Sequence, residues 1–139
     1  MKHYKIITTI FFVCLTAKIN AENIQNQKQT IQRIPLLTAN LETEKTLKKT
    51  DIKRIDFSPL QKTGLHTHPV PVVGYIAEGT IYFQIEGEEA KILKTGDAFF
   101  EPENVKILHF DNPSKINSAR FIAFYLLGKD DKEIIKMLK

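Results

Sequence analysis

Cysteine is almost missing from this chain: the single one, Cys14, sits inside an apolar stretch near the amino end. A product cut after Ala21 would carry no thiol, which excludes disulfides and thiolate metal ligands from it. Any metal is then left to nitrogen and oxygen donors. Long apolar runs are missing too. The longest, Ile6–Ala17, is about a dozen residues, short of the roughly 20 that a membrane-spanning helix needs. No internal repeat appears. There is also no basic stripe of the kind that binds nucleic acid. The formal charge is +4, but Lys2, Lys5 and Lys18 stand in residues 1–21 with no acid beside them. Removing those three of the 20 basic residues leaves 17 against 16 acidic ones, a net of +1. The mildly basic run Lys45–Arg54 follows Glu42 and Glu44 and is interrupted by Asp51, so it reads as a solvated surface.

The amino end carries the pattern of an export signal. Met1–Lys5 is a basic lead, Ile6–Ala17 an apolar centre, and Asn20–Ala21 ends on a small residue. Residues 1–21 are therefore expected to be a cleavable signal that delivers a secreted or periplasmic protein with no membrane span. An uncleaved anchor is the alternative. Bulky Phe11, Phe12 and Val13 before Cys14 argue against a lipid on that cysteine.

Residues 22–50 read as a lead-in. Glu22–Thr30 is rich in Gln and Asn with little apolar content. Ile34–Leu37 suits an edge strand, where its proline is tolerated. From Asp51 to Gly128 short runs of branched and aromatic side chains alternate with turns. Strands are expected at Asp51–Phe57, Leu65–His68, Val72–Ala77, Thr80–Ile85, Glu89–Leu93, Ala98–Phe100, Lys106–Phe110 and Ala119–Leu127. Residues 129–139 suggest a closing helix, with Asp130 as its cap, Glu133 three residues on, and Ile134, Ile135 and Leu138 on one face. Many short strands at close spacing argue an all-β sandwich or barrel. Periodicity does not choose between the two.

The chemistry centres on His66 and His68. Side chains alternate along a strand, so two histidines one residue apart share a face. Two imidazoles on one face are half of a transition-metal site. Two structural histidines in a barrel wall are the alternative. Tyr75, Phe83, Phe99, Phe100, Phe121 and Phe124 read as packing rather than a substrate cage.

These residues, in this order, resemble the cupin superfamily, small double-stranded β-helix barrels related to jelly rolls. The likeness covers Asp51–Leu127. The first cupin motif runs Gly, five residues, His-x-His, three or four residues, Glu, six residues, Gly; His66, His68 and Gly79 match it, Leu60 stands for the first glycine and Val72 for the glutamate. In the second motif Gly96 and Pro102 match, while Asn104 replaces a glycine, Ile107 the histidine and Asp111 the asparagine. Asn tolerates the left-handed backbone that such a glycine supplies.

The resemblance implies a divalent metal (iron, manganese, nickel, copper or zinc) on three histidines and a glutamate. Two positions then need substitutes. His109 lies two residues past the expected histidine, a shift that keeps the strand face, and is one candidate; a half-buried structural histidine is the other reading. Glu101, between Phe99-Phe100 and Pro102, is the candidate carboxylate, with an exposed glutamate as the alternative; Gln84 is weaker. Three functions stay open: a metal-dependent oxygenase, isomerase or lyase on a small molecule; a non-catalytic module for a sugar or small acid; and a partner-binding domain with a vestigial site. No general acid or base stands out. An isologous homodimer is the expected assembly.

Overall fold

The structure is a computed structural model that describes residues 30–139. The expected signal at 1–21 and the first part of the lead-in lie outside the described residues. Among the described residues nine strands follow one another: β1 (Lys49–Phe57), β2 (His66–Thr67), β3 (Val72–Glu78), β4 (Thr80–Ile85), β5 (Lys91–Lys94), β6 (Ala98–Glu101), β7 (Lys106–Asp111), β8 (Ala119–Leu127) and β9 (Lys136–Met137). They form two antiparallel sheets, ordered β1-β8-β3-β6 and β5-β4-β7-β2-β9. This is an all-β jelly-roll barrel.

Alternation explains the strands. Along β8 the odd-numbered Ala119, Phe121, Ala123, Tyr125 and Leu127 are buried, and the residues between them are half-buried. Along β4 Ile81, Phe83 and Ile85 face in. Rings from both sheets meet: Phe57, Phe99 and Phe121 from one, Phe83 and Phe110 from the other, with centroids 4.7–6.5 Å apart. Most cross edge to face, the arrangement that ring quadrupoles favour. Gly74 makes room for this cluster, because a Cβ there would lie 2.2 Å from the Phe99 ring.

Two expected elements differ. Ile34–Leu37 forms no strand, and its apolar side chains are exposed. The helix expected over Asp130–Leu138 is absent; no helix occurs among the described residues. The amphipathic pattern is real, but nine residues make a marginal helix, and the barrel offers its backbone better partners. Asp131, not Asp130, is the local anchor, its Oδ2 accepting from the Gly128 N–H at 2.7 Å. The Leu138 N–H then donates to the Leu65 carbonyl at 2.9 Å, and Lys136–Met137 pairs with β2.

The only non-glycine residues with positive φ among those described are Leu60 (60°) and Asn104 (61°). These are the positions where the two motifs place glycine. The backbone path is kept without the residue that makes it easy. For leucine the left-handed region costs about 1–2 kcal/mol, while a glycine adds about 0.4–1 kcal/mol of unfolded-state entropy. Leu60 is 56% exposed, so its side chain has little packing to lose. Leu60→Gly is therefore expected to stabilise the protein by about 0.5–1 kcal/mol, read as a higher midpoint in thermal or urea unfolding; a lower midpoint would contradict the strain.

Candidate metal centre

His66 opens β2, His68 directly follows that strand in a bridge to Glu103, and Glu101 is the last residue of β6 in the other sheet. The three side chains are buried, at 2%, 3% and 4% exposure. Their ligand atoms all lie within 4.8 Å of one another. His66 Nε2 is 3.8 Å from Glu101 Oε1, and His68 Nε2 is 3.2 Å from Oε2. Ligands about 2.1 Å from one ion stand about 3.0–3.4 Å apart in octahedral or tetrahedral geometry. One separation fits already and the other needs a small side-chain adjustment.

Each imidazole is fixed from behind. His66 Nδ1 bonds the Gly64 carbonyl at 2.7 Å, and His68 Nδ1 bonds the Ile134 carbonyl. A carbonyl accepts only, so each Nδ1 carries the proton and each Nε2 faces Glu101. This is the outer support that ligating histidines usually have. The three residues can therefore hold a metal ion.

Without a metal, charge is settled by protons. Burial alone would push His68 down, but its hydrogen bond and charge interaction with Glu101, helped by the Ile134 carbonyl, raise it above the ordinary imidazole range. Burial alone would raise Glu101, but His66 and His68 hold it below the ordinary carboxylate range.

Glu101 stands directly opposite Val72 in the β3–β6 ladder, and opposed residues share a face. The carboxylate is thus one strand away from the motif position occupied by Val72. On the other side of Val72 stands Tyr125 of β8, a residue not singled out in the sequence although the alternation of β8 turns it inward. Its ring is 5.8 Å from that of His68. Burial, then the charge of Glu101, push its phenol up to about 12, so it stays an O–H donor.

His109 does not join the group. In the β4–β7 ladder Gln84 pairs His109, but Ile85 pairs Ile107, leaving Leu108 as a bulge. An extra residue reverses the alternation. Ile107 and Phe110 are buried, and His109 turns to the outer face. There its Nδ1 meets Asp111 Oδ2 at 2.8 Å and its ring packs 5.0 Å from Tyr82. The expectation that a two-residue shift keeps the face fails on this bulge. Gln84 is outward as well, bonding the Glu88 carbonyl at 3.3 Å.

A cavity of about 110 Å³ adjoins the three residues. Ile55, Phe57, Thr63, Phe110, Phe121, Ala123, Tyr125 and Ile135 line it with them.

The sequence pattern of the family described as "Cupin domain" matches residues 53–125. None of the curated proteins matches. Among solved structures, the chain is similar to a cupin-like protein from Thermotoga maritima, at 25% identity and TM-score 0.55, covering 64% of each chain. A recombinant oxalate oxidase in complex with glycolate superposes with TM-score 0.53 at 20% identity, over 63% of this chain and 45% of that one. The DMSP lyase DddQ from Ruegeria pomeroyi gives 0.54 at 16% identity, over 63% and 42%. The chain thus spans under two thirds of each, and the last two likenesses concern the fold alone.

The buried pair sets a pH window for the metal-free protein. Glu101, depressed, contributes stability above its unfolded pKa that is lost as pH falls through the folded value. His68, raised, contributes stability below its unfolded pKa that is lost as pH rises through the folded value. Glu101→Gln is expected to flatten this dependence in pH-resolved melting. By NMR it should also lower the His68 pKa, since burial is then opposed by the Ile134 carbonyl alone; an unchanged titration would contradict the coupling.

Proposed function

Since this chain belongs to the cupin family, we propose that it binds a divalent transition metal through His66, His68 and Glu101 and acts on a small molecule in the adjoining cavity. The observation that carries this reading is the convergence of three buried donor atoms, two of them on imidazoles whose Nδ1 atoms are held by backbone carbonyls. Two histidines and a carboxylate with open positions are the donor set of non-haem iron sites, which makes iron the first choice; manganese, nickel, copper and zinc remain compatible. When bound, such an ion supplies Lewis acidity or a site for oxygen chemistry.

The chain's own residues would do the rest. The apolar lining excludes water and strengthens every charge interaction inside. The Tyr125 hydroxyl donates a hydrogen bond to an anionic or carbonyl oxygen of the ligand. The cavity, about 110 Å³, is below the roughly 300 Å³ of ordinary small-molecule pockets. That size favours a small organic acid over a sugar. An oxygenase or lyase reaction on such an acid is the enzymatic version; a non-catalytic binder of the same acid is the second reading, favoured by the lack of a side chain other than Tyr125 suited to move a proton.

Export through residues 1–21 belongs to the same proposal, as does a homodimer through the outer face of the β1-β8-β3-β6 sheet. Ile52 and Tyr75 are exposed on that sheet. No helix of the described residues is long and apolar enough to cross a membrane.

Metal content by mass spectrometry tests the centre. The purified protein is expected to hold about one ion per chain, His66→Ala with His68→Ala none, and Glu101→Gln the ion at least about tenfold more weakly. Retention of the full complement by the double variant would end the assignment.

A further inference from the structure

The segment Gly128–Lys139 that follows β8 is joined to the site in three ways. The Ile134 carbonyl accepts from His68 Nδ1. The Ile135 side chain lines the cavity. Met137 stands opposite His66 in the β2–β9 pair. Yet the segment is lightly held. β9 is two residues long with both side chains exposed, and it forms the edge of its sheet. Its other ties are the Leu138–Leu65 backbone bond, the bridge from Lys45 Nζ to Asp131 Oδ2, 3.1 Å, and one half-buried side chain, Ile134, packed against the core.

The remaining walls are firmer. β1 pairs with β8 along all nine of its residues, and Phe57, Phe110 and Phe121 of the lining belong to the aromatic cluster. Ile135, at 39%, is the one exposed residue among those lining the cavity. Segments with few buried apolar contacts and short ladders open most readily. Opening this one would uncover the cavity and remove the acceptor that fixes the ring of His68, while His66 would keep its own anchor at Gly64.

We infer that Gly128–Lys139 is the movable wall of the site: closed, it holds His68 in the ligating orientation; open, it lets the ion and small ligands in and out. The inference rests on the metal assignment above, and it makes Ile134 and Ile135 positioning residues that act through His68 and through cavity access.

Zinc ion serves as the probe, its release followed with a chromophoric chelator. Leu138→Pro removes the amide that bonds Leu65. It is expected to speed release at least tenfold, with one zinc still bound and the melting temperature within a few degrees. The opposite change locks the wall. Thr67 and Lys136 are directly opposed, where Cα atoms lie about 5.5 Å apart, within disulfide reach. With Cys14→Ser removing the other thiol, Thr67→Cys and Lys136→Cys should slow release at least tenfold when oxidised, and a phosphine reductant should restore the rate in the same sample. Release within twofold of the unmodified protein in both variants overturns the movable wall and leaves the metal site standing. Failure of the unmodified protein to take up zinc, read in a prior titration, overturns the metal assignment and the wall with it.

Discussion

A carboxylate enclosed in a barrel decides much of this structure. An isolated charge moved from water into an apolar interior costs more than the roughly 5–15 kcal/mol by which a domain is stable. Glu101 is buried and therefore needs polar partners. His66 and His68 are the ones beside it, and each relies in turn on a backbone carbonyl, that of Gly64 or Ile134. The dependence runs from one charge through two rings to the chain path on either side of β2. In the metal-free protein a proton on His68 answers the carboxylate. An ion at the same point would displace it, so ion uptake and proton release are one equilibrium.

The carboxylate's location illustrates how a site survives a change of motif. The resemblance puts a glutamate at position 72, where this chain has Val72. Position 101 is its cross-strand partner. Directly opposed Cβ atoms lie about 4.5–5.5 Å apart on one face, less than the reach of a glutamate side chain. Moving the acid across the ladder keeps it over the same space and leaves Val72 to pack. The backbone behaves alike at Leu60 and Asn104, which hold left-handed φ without glycine. Geometry is preserved while residue identity drifts.

The parts legible in the sequence are those governed by local alternation. The strands at Thr80–Ile85 and Ala119–Leu127 lie where their period of two puts them, and the shared face of His66 and His68 follows from the same rule. Glu101 could be suspected from its odd neighbours, but its partners are 33 and 35 residues away in the chain, and only the fold joins them. For His109 the ligand reading gives way to the half-buried structural one because a single bulge at Leu108 inverts the face, and nothing in Lys106–Asp111 marks the insertion. The closing helix had a cap, an acid and an apolar stripe in order. Tertiary pairing with β2 outweighed that local preference, since the same backbone groups could bond the barrel edge and the ring of His68. Tyr125 was visible in the alternation of β8, yet nothing in the sequence alone set it apart from the other residues of that strand.

Replacement of the second motif's histidine by Ile107 completes the logic of the site. Ile107 is fully buried, so the position contributes packing where the resemblance implies a ligand. On the proposed ligand set three protein donors remain, and an octahedral ion would keep about three positions open. Those positions would face a space lined mainly by phenylalanine, isoleucine and alanine, with one phenol and the hydroxyl of Thr63 as polar groups beside the donors. The Thr63 hydroxyl is already committed to the Phe110 carbonyl at 2.8 Å. Tyr125 is thus left as the hydroxyl able to donate a hydrogen bond to a bound molecule. A ligand that satisfies such a space must be small, must bring its own oxygen donors to the ion, and must present to Tyr125 an oxygen that can accept. A short carboxylic acid meets all three conditions; a polyhydroxylated sugar would bury hydroxyls for which this lining has no partners.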